Sequence, residues 1–146
     1  MKISECMTPD VLTVRPDQKL SEVAKLMLDE DIGILPVANA DRMLGMITDR
    51  DIVVRAVARG LDAQTPVKEV MSQEVLYCFE DQDVDDVAQN MSDLQVRRLP
   101  VVDRRKRLVG IITTGDLARE VSGEACSAAL FGVAQPGGLH SQSPLP

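Results

Sequence analysis

Aromatic residues are almost missing. Tyr77, Phe79 and Phe131 are the only three in 146 residues, and there is no tryptophan. That leaves too few rings for the base-stacking platforms of single-strand nucleic-acid binders. Basic charge is also short: 16 Lys and Arg stand against 23 Asp and Glu, a net charge of −7. An acidic chain is a poor match for a phosphate backbone, so no nucleic-acid partner is expected. Histidine is limited to His140, in a Ser/Pro/Gly stretch, so a His-based triad or zinc centre has nothing else to build on. The cysteines Cys6, Cys78 and Cys126 follow no metal or redox spacing and read as small hydrophobes. No apolar run reaches the length of a membrane span. The opening MKISECMTPD is acidic by position 5 and has no apolar core, unlike a signal peptide. A cytoplasmic protein without a membrane partner is expected.

What the chain does have is a repeat. Shifted by 64 residues, Met7 falls on Met71, Val11-Leu12 on Val75-Leu76, and Asp17-Gln18 on Asp81-Gln82. Val23-Ala24 falls on Val87-Ala88, Met27 on Met91, and Leu35-Pro36-Val37 on Leu99-Pro100-Val101. Eleven of the thirty pairs from Met7/Met71 to Pro36/Pro100 are identical, too many in one register for two unrelated amphipathic segments. One inserted residue later, Gly45 falls on Gly110, Ile47-Thr48 on Ile112-Thr113, and Asp51 on Asp116.

Each copy reads as β-α-β-β-α, an α/β (α+β) fold class. Short strands are expected at Val11–Val14 and Val75–Phe79. Leu20, Val23, Ala24, Met27 and Leu28 have the spacing of one buried helical stripe, repeated by Val84, Val87, Ala88 and Met91. Asp83 suits an N-cap; its counterpart Lys19 does not, which puts the start of the first helix in question. Hairpins follow at Ile34–Ala38 with Met43–Ile47, and at Leu99–Val102 with Leu108–Ile112. Closing helices are expected at Arg50–Arg59, ended by Gly60, and at Gly115–Val121, ended near Gly123. Thr65-Pro66 predicts a linker helix over Pro66–Met71. A unit of about 60 residues is marginal alone, so the two copies should bury their sheet faces on each other. The expected partition is 1–63, 64–123, and a mobile tail over 124–146 with a short helical start near Ala125–Phe131. Met7 and Met71 read as core.

The chemistry sits in Gly45-Met-Ile-Thr48-Asp-Arg-Asp51 and Gly110-Ile-Ile-Thr113-Thr-Gly-Asp116. Thr at an N-cap with Asp three residues on is a capping box, and these residues could serve only to start a helix. The same place also suits a ligand. A helix start attracts phosphate, a carboxylate there can accept two hydrogen bonds from a sugar diol, and the threonine hydroxyl can assist. The glycine three residues earlier lets another segment come close.

ILPVANADRMLGMITDRDI and RRLPVVDRRKRLVGIITTGDL together resemble the paired signature of cystathionine β-synthase (CBS) domains, the Bateman module. The resemblance covers residues 1–122 and is nearest to small stand-alone bacterial CBS-pair proteins, the hypoxic-response type among them. It implies clefts between the repeats that take adenosine-containing ligands: AMP, ADP, ATP or S-adenosylmethionine, none of them an obligatory cofactor. The family's ribose-binding aspartate falls on Asp51 and Asp116, and its threonine on Thr48 and Thr113. The adenine slot falls on Val11, Leu12, Ile34, Leu35 and Pro36, and on Val75, Leu76, Arg98, Leu99 and Pro100. These are mostly aliphatic, so adenine would be held by packing and backbone hydrogen bonds. In the family, basic residues just before the Leu-Pro-Val strand of one repeat often reach the phosphate held at the other repeat's Thr-x-x-Asp, and only the second repeat has them, where the first has Gly33-Ile34. Arg97-Arg98 therefore favour phosphate at Thr48 and Asp51, leaving the Asp116 side to an uncharged adenosine group or empty. The resemblance also implies a homodimer through Leu20–Asp29 and Ile52–Arg59, and an unidentified regulated protein as partner. Convergent nucleophile, base and oxyanion groups are lacking, so an enzyme is not expected. Two readings stay open: a regulatory sensor of an adenosine ligand, and a ligand-free dimerisation or interaction module with vestigial clefts.

Overall fold

The computed structural model describes residues 1–120. It contains α1 (Leu20–Glu30), a hairpin of β1 (Ile34–Asn39) and β2 (Arg42–Thr48), and a helix α2 over 49–59 that follows β2 directly. After the linker come β3 (Cys78–Phe79), α3 (Val84–Leu94), a second hairpin of β4 (Arg98–Val102) and β5 (Leu108–Thr113), and α4 (Thr114–Glu120). The fold class is α+β, with the two repeats laid out alike. No helix among the described residues is long and apolar enough to cross a membrane. The tail over 124–146, with Cys126, Phe131 and His140, and the expected end of α4 at Val121–Gly123 lie outside the described residues.

The chain forms two compact units, and they do not coincide with the partition at residue 63. One unit is Leu12–Val75; the other joins Met1–Val11 to the chain from Leu76 onward. In the second, the opening segment is clasped by the body of the later repeat. The Ile3 amide donates to the Gln82 carbonyl (3.0 Å) and the Ser4 amide to that of Glu80 (2.9 Å), while the Val84 amide donates to Met1 (3.0 Å). The first unit repeats the pattern with the linker. Val67 donates to Gln18 (2.8 Å), Lys68 to Pro16 (3.0 Å), and Leu20 to Thr65 (2.9 Å). These carbonyls answer the question posed by Lys19. The helix begins at Leu20 without a side-chain cap, because the Thr65 and Ala63 carbonyls take its first amides. Asp83 caps α3 as expected, accepting from the Asp85 amide at 2.9 Å.

The core of each unit follows the same register. Val14, Leu20, Val23, Met27, Leu35, Val37, Ile47 and Val67 are buried in one; Cys78, Val84, Val87, Met91, Leu99, Val101, Ile112 and Ile3 occupy the equivalent places in the other. Burial pushes the Cys78 thiol up to about 12, with a smaller contribution from the Cys6 charge. Three expectations need correction. Ala24 and Leu28 are exposed, so the buried stripe of α1 is narrower than its spacing implied, whereas that of α3 is complete. The strands expected at Val11–Val14 and Val75–Phe79 shrink to a single Val14–Val37 bridge and to β3, because the chain passes from one unit to the other just before them. The linker helix is a 3₁₀ turn over Val67–Glu69, since Pro66 is extended and the Val67 and Lys68 amides are taken by Gln18 and Pro16.

Two glycines set how close the clasped segments lie. The Met46 amide donates to the Ser72 carbonyl (2.9 Å) and the Ser72 amide returns to Met46 (2.8 Å); Thr8 and Ile111 exchange the same pair at 2.9 Å each. A β-carbon on Gly45 would meet the Ser72 carbonyl oxygen at 2.5 Å, and one on Gly110 would meet the Met7 sulfur at 2.5 Å and the Thr8 carbonyl oxygen at 3.0 Å. Main chain cannot yield as a methionine tip can. Gly45→Ala should therefore cost about 1–3 kcal/mol in urea unfolding and exceed the cost of Gly110→Ala; equal stability of both variants with the parent would contradict the close approach.

Candidate functional site

The Thr-x-x-Asp turns sit where β2 passes into α2 and β5 into α4. In each the capping box is complete. Asp51 Oδ2 accepts from the Thr48 amide (3.0 Å) while Thr48 Oγ1 accepts from the Asp51 amide (3.0 Å). Thr113 and Asp116 form the identical pair, again at 3.0 Å both ways. Both threonines are half-buried, Asp51 is half-buried and Asp116 is buried. The box uses one oxygen of each carboxylate and leaves the other to face an arginine rather than a main-chain amide.

Those second oxygens differ. Asp116 Oδ1 accepts from Arg119 Nη2 at 2.5 Å. Asp51 Oδ1 lies 3.7 Å from Arg55 Nε, an ion pair without a hydrogen bond. The Arg55 Nη1 is turned instead to the Val70 and Met71 carbonyls, at 3.4 and 3.3 Å. The helices differ too. α2 runs as one α-turn (Asp49–Asp51), a π-helical stretch (Ile52–Ala56) and a 3₁₀ turn (Val57–Arg59), closed by Gly60 at φ +74°. Over its described length α4 is regular. Sequence reading did not single out Asp49 or Arg119, although the i, i+3 spacing of Asp116 and Arg119 on a helix was a usable signal.

The first amides of α2 are largely taken. Asp49 donates to the Gly33 carbonyl (2.9 Å), Arg50 to Asp49 Oδ1 (2.8 Å), and Asp51 to Thr48. The Asp49 carboxylate fills the space left by Gly33, where a β-carbon would lie 2.9 Å from its Oδ2. At the other turn Thr114 donates to the Arg97 carbonyl (3.0 Å), and Thr114 and Gly115 replace Asp49 and Arg50.

The remaining candidates fall on both units. Ile34 is the register partner of Thr48, and Pro36, buried, that of Met46. Leu12 is 43% exposed. In the other unit Arg98 is the register partner of Thr113, and Pro100 is buried opposite Ile111. Leu76 packs at the edge of the core, and Arg97 and Arg98 are exposed. Each hairpin thus brings the first residue of its first strand beside its own Thr-x-x-Asp turn: Ile34 beside Thr48, Arg98 beside Thr113. Among the described residues no group of three or more His, Cys, Asp or Glu is placed to hold a metal ion.

The family model of the CBS domain matches residues 3–57 and again 67–123. The chain belongs to the CBS-domain family, as a tandem pair. It is 42% identical to the CBS domain-containing protein YhcV of Bacillus subtilis over 90% of this chain and 94% of that protein. It is 34% identical to hypoxic response protein 1 of Mycobacterium tuberculosis over 94% of this chain and 96% of that protein. Among solved structures, Hypoxic Response Protein I with two coordinated zinc ions superposes with a TM-score of 0.74 at 36% identity, covering 83% of this chain and 99% of that one. The CBS domain pair of MJ0100, in complex with 5′-methylthioadenosine and S-adenosyl-L-methionine, superposes with a TM-score of 0.69 at 30% identity, covering 82% and 94%.

Because each threonine hydroxyl caps its helix, Thr48→Ala and Thr113→Ala should each lower stability by about 1 kcal/mol, while Thr→Ser at either position should lower it by a small fraction of that. Chemical denaturation monitored by circular dichroism reads the difference, and Thr→Ala variants as stable as the parent would deny the cap.

Proposed function

We propose that this chain is a non-catalytic regulatory module that binds an adenosine-containing ligand at its Thr-x-x-Asp turns and signals occupancy to a partner protein. The observation that carries the reading is the duplicated turn itself. Thr48 with Asp51, and Thr113 with Asp116, each keep a carboxylate oxygen outside the capping box, at the chain position where the CBS family holds ribose. The related MJ0100 pair, crystallised with two adenosyl ligands, supports the class. On this reading Asp51 and Asp116 accept from the 2′- and 3′-hydroxyls, and Thr48 and Thr113 assist. Leu12 and Ile34 for the first turn, and Leu76 for the second, offer aliphatic surface to adenine, and Pro36 and Pro100 are buried in strands β1 and β4. Arg97 and Arg98 supply positive charge for a phosphate. A ligand acts on the partner only by binding one arrangement of the module better than another.

The vestigial alternative is favoured by one observation: both oxygens of Asp116 are already engaged inside the chain. One screen separates the two readings. Adenosine, AMP, ADP, ATP and S-adenosylmethionine are each added to purified protein in a thermal-shift assay. A ligand at 100 times its Kd adds about 2.7 kcal/mol of stability, a readily measured rise in melting temperature. The shift should disappear in a variant carrying both Asp51→Asn and Asp116→Asn. No shift with any of the five, at millimolar concentration, would leave the interaction module as the surviving reading.

We also propose a homodimer built on α1 and α2. Leu28 is 79% exposed, Val53 58% and Val57 66%. Val53 lies in the π-helical part of α2 and Val57 in its 3₁₀ turn, and together with Leu28 they expose more apolar surface than an exposed helix usually carries. Sedimentation should give a dimer at micromolar concentration, shifted toward monomer by Val53→Asp with Val57→Asp; a monomeric parent protein would exclude this.

A further inference from the structure

We infer that the two turns are sorted by charge, so that the Asp51 turn takes an adenosine group without phosphate and the Asp116 turn takes one that carries phosphate. The inference rests on the proposed adenosine binding and adds the class of ligand each turn accepts.

The sorting begins with the oxygen each aspartate has to spare. A diol arriving at Asp51 finds Oδ1 without a hydrogen bond from Arg55, 3.7 Å away. The Arg55 guanidinium is tied to the Val70 and Met71 carbonyls and need not move. At Asp116 the same oxygen is occupied by Arg119 at 2.5 Å, a charge-assisted bond on a buried carboxylate. A diol must displace that guanidinium. Uncharged adenosine offers the released arginine nothing in return, whereas a phosphate offers it an acceptor. Arg119 thus works as a latch that a phosphorylated ligand can open.

The surrounding charges point the same way. At the first turn Asp49 and Asp51 stand with Arg50 and Arg55, two acids against two bases, or zero net. Its hairpin is entered through Gly33 and Ile34, both uncharged, and the Asp49 carboxylate fills the space over Gly33. At the second turn Asp116 and Glu120, the counterpart of Arg55 in the sequence, stand with Arg97, Arg98 and Arg119, two acids against three bases, or +1 net. Arg98 is there the register partner of Thr113, and Arg97 gives its carbonyl to the Thr114 amide. This ordering is the reverse of the one Arg97-Arg98 would produce by reaching the opposite repeat.

Calorimetric titration of the full chain tests it. Asp51→Asn and Asp116→Asn each keep a side-chain oxygen for the capping box while removing the charge that grips the diol. In Asp51→Asn, which leaves the second turn working, AMP should bind about tenfold or more tightly than adenosine. Adding Arg119→Ala should shrink that preference to about threefold or less, through tighter adenosine binding as well as weaker AMP binding. In Asp116→Asn, adenosine and S-adenosylmethionine should bind at least as tightly as AMP, and adding Asp49→Asn should raise AMP affinity several-fold while leaving adenosine unchanged. Circular dichroism confirms that each variant is folded, and Arg119→Lys gives a second, milder test of the latch. The same AMP-to-adenosine ratio in both aspartate variants, or a ratio unmoved by Arg119→Ala, would overturn the sorting while leaving adenosine binding intact. No binding of any of the three ligands to the parent would instead remove the proposed function, and the sorting with it.

Discussion

The structure depends on a main-chain clasp. Met46 and Ser72 exchange amide–carbonyl bonds over Gly45, and Thr8 and Ile111 do so over Gly110. Each exchange fastens a segment that precedes one repeat onto the outer strand of the other repeat's hairpin. Those strands, β2 and β5, end two residues later in the threonines of the candidate site. A glycine is required because any β-carbon would enter the space of the clasped segment. The clasp also explains how units of about 60 residues become stable. Each gains a buried anchor from the segment that precedes the other repeat, Val67 in one unit and Ile3 in the other.

From that anchored strand the chain turns into a helix, and on the proposed function the turn has two duties that share the same atoms. Capping requires one oxygen from the threonine and one from the aspartate. A ribose requires acceptors at the same place. The geometry reconciles them, since the box takes Oδ2 and the other oxygen is left over. The capping duty is therefore no argument against a ligand. It fixes the carboxylate's orientation in advance, which lowers the entropic cost of binding.

The two copies keep the capping distances at 3.0 Å and differ in the charges and the helix that surround them. Asp49 replaces Thr114, Ile34 replaces Arg98, a π-helical stretch follows one turn and a regular helix the other. Arg55 reaches across to the linker carbonyls; Arg119 folds back onto Asp116. Duplication preserved what the fold needs and left charge free to diverge, which is the condition under which one module can read two ligands.

Much was legible before any coordinates. Repeat register, both hairpins, α3 with its Asp83 cap, and the Thr-x-x-Asp turns all follow from local pattern, because strand alternation, helical spacing and caps act over a few residues. Other features were not. The exposure of Ala24 and Leu28 and the shrunken strands at Val14 and Cys78 are set by packing, and the 3₁₀ turn after Pro66 by bonds to Gln18 and Pro16 about fifty residues earlier, to which no periodicity refers. The sequence by itself determined that there are two equivalent folding units and where each would place its threonine and aspartate. Only the tertiary structure decided which segments complete which unit, and that one aspartate faces an arginine held at a distance while the other is bound by its own, because both depend on where side chains and carbonyls meet in space.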